Sequence, residues 1–187
     1  MSFMGIIICG LNGTGKSTFG KALAEKLHFH FIDIENLYFP KTNSNYIYAS
    51  PRTREDVAER LLCEIRTHEN FILASVKGDY GEELYSFFQC AILLDVPRDI
   101  RLQRVKDRSF QKFGNRMLSD GDLFEQEEKF FRLVESRNED AVEEWVKSLK
   151  CPVIRIDGTK PIDENIDFII ALMQDKNIFA EEMGNKK

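Results

Sequence analysis

Residues 10–17 read Gly10-Leu11-Asn12-Gly13-Thr14-Gly15-Lys16-Ser17, which satisfies the pattern Gly-x-x-x-x-Gly-Lys-Ser/Thr at every fixed position. The stretch directly follows an apolar run at 5–9 and directly precedes a helical pattern at 16–27. That is the strand, loop, helix order the loop needs to work. Glycines let the main chain turn and approach phosphate oxygens, so that backbone N–H groups form an anion-holding concavity at the positive end of a helix. Gly10, Asn12, Gly13, Thr14, Gly15 and, just inside the helix, Thr18 are therefore candidate nucleotide contacts. Lys16 can supply a full charge to the β- and γ-phosphates of ATP, and Ser17 offers a hydroxyl to Mg2+.

Outward from this loop, apolar runs of strand length recur at 3–9, 29–33, 71–75, 91–95 and 153–156, with helical patterning between them. Such alternation predicts an α/β fold, a parallel sheet covered on both faces. Helices are expected to begin near Lys16, Arg52, Gly81, Arg98, Asp122 and Pro161. From 122 to 150 the pattern is helical almost without a break, and Asn138-Glu139-Asp140 is the step at which it could split. The tail 181–187 is polar and expected to fray.

At 187 residues the chain suits a single domain, 1–187, with a modest inserted lid. Lys and Arg number 26 against 31 Asp and Glu, a net charge of −5 that disfavours a nucleic-acid partner. Basic residues nevertheless gather between Arg98 and Arg116, which suits a small anionic ligand. The apolar start is too short to span a bilayer and has no basic flank, so neither a membrane anchor nor a signal peptide is expected. Cys9, Cys63, Cys90 and Cys151 lack metal-site spacing and read as buried, reduced thiols of a cytoplasmic protein. A monomer or homodimer is expected.

With this loop, element order and length, the chain resembles the P-loop nucleoside and nucleotide kinases, the group that includes adenylate kinase and shikimate kinase. The resemblance implies a three-layer fold with a five-stranded parallel sheet of order 2-3-1-4-5, helices on both faces and a short lid, here about 108–121. It places the acceptor over strands 2 and 3, here about 34–69, and implies transfer of the terminal phosphoryl group of MgATP to a small molecule. A GTPase is rejected, because Thr159-Lys160-Pro161-Ile162-Asp163 has its Asp one place too late for the guanine-reading sequence. The segment 157–161 instead resembles the loop that borders adenine in similar kinases, which makes Gly158 and Lys160 candidate nucleotide contacts.

Asp33-Ile34-Glu35 ends the second strand, and alternation sends both carboxylates to one side. The step resembles the Asp-x-Asp of shikimate kinases, which implies that Asp33 holds Mg2+ through water and that Glu35 contacts the acceptor or takes its proton. Lys77 and Asp79 follow the third strand, at the end where ligands of open parallel sheets gather. Neither the adenylate-kinase nor the shikimate-kinase sequence is present there. Arg52 and Arg54 could grip an anionic group of the acceptor.

Arg101, Arg104 and Arg108 are spaced to share one helical face, and the break at Phe113-Gly114-Asn115 could carry Arg116 on a mobile turn. Resemblance to the lid arginines of similar kinases implies that Arg108 and Arg116 close over the phosphates while Arg104 holds the lid base. The leading expectation is a nucleotide or nucleoside kinase, favoured by the cationic clamps; the alternatives are a shikimate-type kinase of a metabolite hydroxyl, favoured by Glu35, and then a nucleotide-dependent regulatory ATPase with no separate acceptor.

Overall fold

The structure is a computed structural model that describes residues 4–40 and 45–174. The start of the first expected strand and the polar tail lie outside the described residues. Five strands, β1 (Met4–Cys9), β2 (His30–Asp33), β3 (Asn70–Ala74), β4 (Cys90–Asp95) and β5 (Val153–Asp157), form one sheet in the order β2-β3-β1-β4-β5, every pair parallel. The order expected from the resemblance is the order observed.

The helices are α1 (Lys16–Leu27), α2 (Ile34–Tyr38), α3 (Arg54–Thr67), α4 (Arg98–Phe113), α5 (Phe124–Glu135), α6 (Ala141–Val146) and α7 (Ile162–Gln174). Strand alternation divides the core between the two faces of the sheet. Ile6, Ile8, Ile72, Ile92 and Leu94 pack on Phe19 and Leu23 of α1 and Ile166 and Ile169 of α7. Ile7, Cys9, Leu73 and Leu93 pack on Leu61 and Ile65 of α3 and Val142, Trp145 and Val146 of α6.

Several boundaries differ from the sequence reading, each for a local reason. α3 starts at Arg54 rather than Arg52, because the Thr53 side chain accepts from Asp56 N and so caps the helix there. The segment expected to open a helix at Gly81 forms only a 3-10 helix, Glu82–Phe87. The run 122–150 divides into α5 and α6, and Asn138 Oδ1 accepts from Asp140 N in the turn between them. Cys9 and Cys90 are buried as expected, and burial raises both thiols to about 12. Cys63 is exposed and Cys151 only partly buried, since both fall where their elements meet solvent.

Candidate active site

The phosphate loop leaves β1 through glycines that hold backbone no other residue adopts readily: φ is +142° at Gly10, +86° at Gly13 and +94° at Gly15. Gly13 is also pressed against α4, where a Cβ would lie 2.2 Å from Arg101 O. Gly15 is the N-cap of α1, whose first turn carries no acidic residue. The positive end of the helix is thus left for an anion. Thr14 Oγ1 donates to Leu11 O at 3.0 Å and Lys16 Nζ donates to the same carbonyl at 2.9 Å, which fixes the loop's curl. Asn12 Oδ1 is buried and has no hydrogen-bond partner among the described residues.

Beside this loop opens a cleft of about 600 Å³. Its walls include Asn12, Gly13, Gly15, Lys16, Ser17 and Thr18 from the loop side, and Asp33 and Glu35 from the end of β2. Arg54, Lys77, Asp79, Arg104, Arg108 and Arg137 complete the charged lining. Burial, with Arg108 adding like charge, lowers Lys16 to about 8. A cluster of this kind calls for anionic ligand atoms to offset its self-repulsion.

Each carboxylate has a distinct environment. Asp33 Oδ1 accepts from Glu35 N at 3.0 Å and caps α2, so the short helix presents Glu35 into the cleft. Glu35 Oε1 accepts from the Tyr48 hydroxyl at 2.7 Å, and Oε2 lies 3.9 Å from Arg108 Nη1. Asp79 is gripped by Lys77 Nζ at 3.0 Å and faces Arg54 Nη2 at 3.6 Å. Burial pushes the Asp79 carboxyl up, but the hydrogen bond and charge of Lys77, followed by Arg54, outweigh it and hold it below its ordinary value.

The arginines separate by role. Arg104 Nη1 donates to Gly158 O at 3.0 Å, which joins α4 to the loop after β5. Arg108 reaches the cleft, whereas Arg116 lies outside its lining and makes a two-pronged pair with Asp122 at 2.9 and 2.6 Å. Arg52 Nη1 donates to Leu37 O at 2.6 Å and braces α2. Lys160 pairs with Glu164 at 2.8 Å on the surface of α7.

Arg137 was not singled out by sequence. It lies in the turn between α5 and α6 and lines the cleft, and its Nε is buried with no partner among the described residues. Burial lowers its pKa. The only hint in the sequence was its place beside the 138–140 step.

A phosphate loop between β1 and α1 of a 2-3-1-4-5 parallel sheet, facing a cleft with cations on both walls, is the arrangement of the P-loop small-molecule kinases. The AAA_18 family, described as an AAA domain, matches residues 6–120, and the chain belongs to it. It is 31% identical over 175 residues to the uncharacterized protein YqaC of Bacillus subtilis (strain 168), covering 88% of this chain and 94% of that protein. A shikimate kinase of Sulfurihydrogenibium sp. (strain YO3AOP1) is 29% identical over 143 residues, covering 71% of this chain and 85% of the enzyme.

Two solved structures share the fold. A gluconokinase from Sinorhizobium meliloti 1021 superposes with a TM-score of 0.56 at 16% identity, over 97% of this chain and 99% of that one. Shikimate kinase from Aquifex aeolicus superposes with a TM-score of 0.55 at 18% identity, over 95% of this chain and all of that one. The fold implies nucleotide use. No helix among the described residues is long and apolar enough to cross a membrane.

Proposed function

We propose that the chain is a kinase that transfers the terminal phosphoryl group of MgATP to a hydroxyl of a small anionic metabolite. The observation that carries this reading is that one cleft is lined by Lys16 and Ser17 of the phosphate loop, by the carboxylates of Asp33 and Glu35, and by Arg54, Lys77 and Arg137. A phosphate acceptor needs cations and no base; a hydroxyl acceptor is helped by a carboxylate that takes its proton. Glu35, held by Tyr48 at the cleft wall, has the position for that work. The cations on the same side suit a carboxylate or phosphate elsewhere on the acceptor. Relatives described as shikimate kinases support a metabolite hydroxyl as the target.

Ser17 and Asp33 would hold Mg2+, which when bound neutralises phosphate charge. A hydroxyl and a carboxylate suit this oxygen-seeking ion. Among the described residues no group of three or more His, Cys, Asp or Glu is built to hold a metal. That fits an ion carried in on the nucleotide rather than a resident one. Lys16 and Arg108 would bind the migrating phosphoryl group, Arg104 and Gly158 the base side of ATP. Residues 34–69 serve as the acceptor region and 108–121 as the lid of one kinase unit spanning 1–187.

A nucleotide or nucleoside acceptor is the second reading, favoured by Tyr38, Phe39 and Tyr80, which offer rings in the same cleft. Acceptor-dependent ADP release, screened over sugar acids, shikimate, nucleosides and nucleoside monophosphates, separates the two. ATP hydrolysis that no acceptor stimulates would leave the regulatory ATPase standing. Glu35→Gln lowers the rate by about 10²-fold or more for a hydroxyl acceptor and much less for a phosphate.

A further inference from the structure

One buried charge takes no part in the chemistry above. Arg101 on α4 is 3% exposed, and its guanidinium spans three chain segments. Nε donates to Val96 O at 3.1 Å, Nη1 to Asn12 O at 3.4 Å and Nη2 to Glu139 Oε2 at 2.5 Å. A guanidinium is tolerated in such a place only when its donors are met, and here one acceptor, Asn12 O, belongs to a residue that lines the cleft and another, Glu139, lies two residues from the cleft-lining Arg137. Asn12 is in the phosphate loop. Glu139 is in the turn between α5 and α6, two residues from Arg137.

The contact with the loop is reinforced by backbone, since Gly13 sits so close to Arg101 O that no side chain fits between them. The contact with the turn continues into α6. There the Trp145 ring backs the Lys77-Gly78-Asp79 segment, with Cζ2 3.1 Å from the position a Cβ of Gly78 would take. Trp145 is buried in the core behind that segment and donates Nε1–H to the Tyr85 hydroxyl at 3.2 Å.

We infer that Arg101 is a positioning residue that fixes the phosphate loop and the acceptor wall to each other, so that nucleotide bound at the loop is felt at Arg137 and Trp145. The route is Asn12 O, the Arg101 guanidinium, and Glu139. The inference rests on the reading that the loop binds nucleotide. A planar fork with donors at fixed angles suits the task, because a shift of one acceptor obliges the others to follow. Glu139 is about half exposed and also faces Arg98 Nε at 3.4 Å. The turn is therefore the side free to move, while the loop side is packed.

Trp145 is the chain's single tryptophan, so its emission reports the packing behind the Lys77-Gly78-Asp79 segment. ADP titrated into the wild-type protein changes that emission, while calorimetry reads ADP affinity separately. In Glu139→Ala the emission change falls at least about threefold although ADP binds within roughly fivefold of wild type. Glu139→Gln, whose amide oxygen still accepts from Arg101, keeps most of the response. Arg101→Lys, a point charge in place of the fork, loses the response and weakens ADP about tenfold. Thermal unfolding identifies which variants are folded, and Arg101→Lys decides if Glu139→Ala is not. Wild-type emission blind to bound ADP, or a full response in the folded variant, overturns the inference. Failure of wild-type protein to bind ADP by calorimetry overturns the nucleotide reading beneath it instead.

Discussion

The Tyr48 hydroxyl donates to Glu35 Oε1 at 2.7 Å and accepts from Lys112 Nζ at 2.7 Å, so the candidate base on α2 is tied to the last turn of α4. Tyr48→Phe keeps the ring, which packs edge-on against Phe39 and Phe113, and removes the bond that orients Glu35 together with the one from Lys112. Steady-state kinetics should show kcat lowered about tenfold with KM for ATP unchanged, the scale of a positioning loss rather than loss of the base itself. A KM effect without a kcat effect would place Tyr48 in acceptor binding alone.

The lowered Lys16 pKa gives a pH signature. Burial and Arg108 hold the ammonium at about 8 in the protein without nucleotide, and phosphate charge brought beside it must raise that value. Binding therefore takes up a proton between the two values, and ADP affinity falls as pH rises through about 8. Calorimetry near pH 9 in buffers of different ionisation enthalpy should detect uptake approaching one proton per site, and Lys16→Met should abolish it. Uptake that persists in Lys16→Met would assign the proton to another group.

Much of this was legible in the sequence because local rules and tertiary demands agree there. The loop from Gly10 to Ser17 needs φ values that only glycine takes easily, and the buried strands are continuous apolar runs, so both announce themselves. Arg104 and Arg108 share a helical face by their spacing, and both line the cleft beside the phosphate loop. Arg101 shares their spacing, yet its role as a buried brace depends on Glu139, 38 residues away, which no local pattern reveals. Arg137 was hidden for the same reason: an arginine in a turn is ordinary until the fold closes a cleft over it. Arg52 is the converse case: it lies outside the cleft's lining and donates to the Leu37 carbonyl, a contact that no local pattern announces.

The two inner glycines of the loop should differ in what they tolerate. Gly13→Ala forces a Cβ to within 2.2 Å of Arg101 O at a φ of +86°, and the obstacle is backbone on both sides. Gly15→Ala has a φ of +94° but nothing within 4 Å of the new atom. Positive φ alone costs about 1–2 kcal/mol, and overpacking against a rigid neighbour adds about 1–3 kcal/mol more. Denaturant unfolding should therefore rank Gly13→Ala below Gly15→Ala by at least about 1 kcal/mol. Equal stabilities would mean that α4 moves freely relative to the loop, which would also undercut the brace at Arg101.

Arg108 and Arg116 offer the sharpest test of the proposed phosphoryl transfer. Arg108 already faces the cleft, 3.9 Å from Glu35 Oε2, and is the largest charged influence on Lys16. Charge moving onto the transferred phosphoryl group and its bridging oxygen would draw Arg108 away from Glu35, freeing the carboxylate as the transition state forms. Arg116 is committed to Asp122 by two hydrogen bonds and must break both to reach the phosphates. Arg108→Ala should therefore lower kcat by about 10²-fold or more while ADP affinity changes only a few-fold, the pattern of a contact worth most in the transition state. Arg116→Ala should lower kcat by less than about tenfold unless lid closure opens the Asp122 pair. Comparing Arg116→Ala with Asp122→Ala resolves that condition, because releasing Arg116 raises kcat only if the arginine is needed at the phosphates. A loss of kcat in Arg116→Ala as large as that in Arg108→Ala would show that the lid closes further than the arrangement seen here.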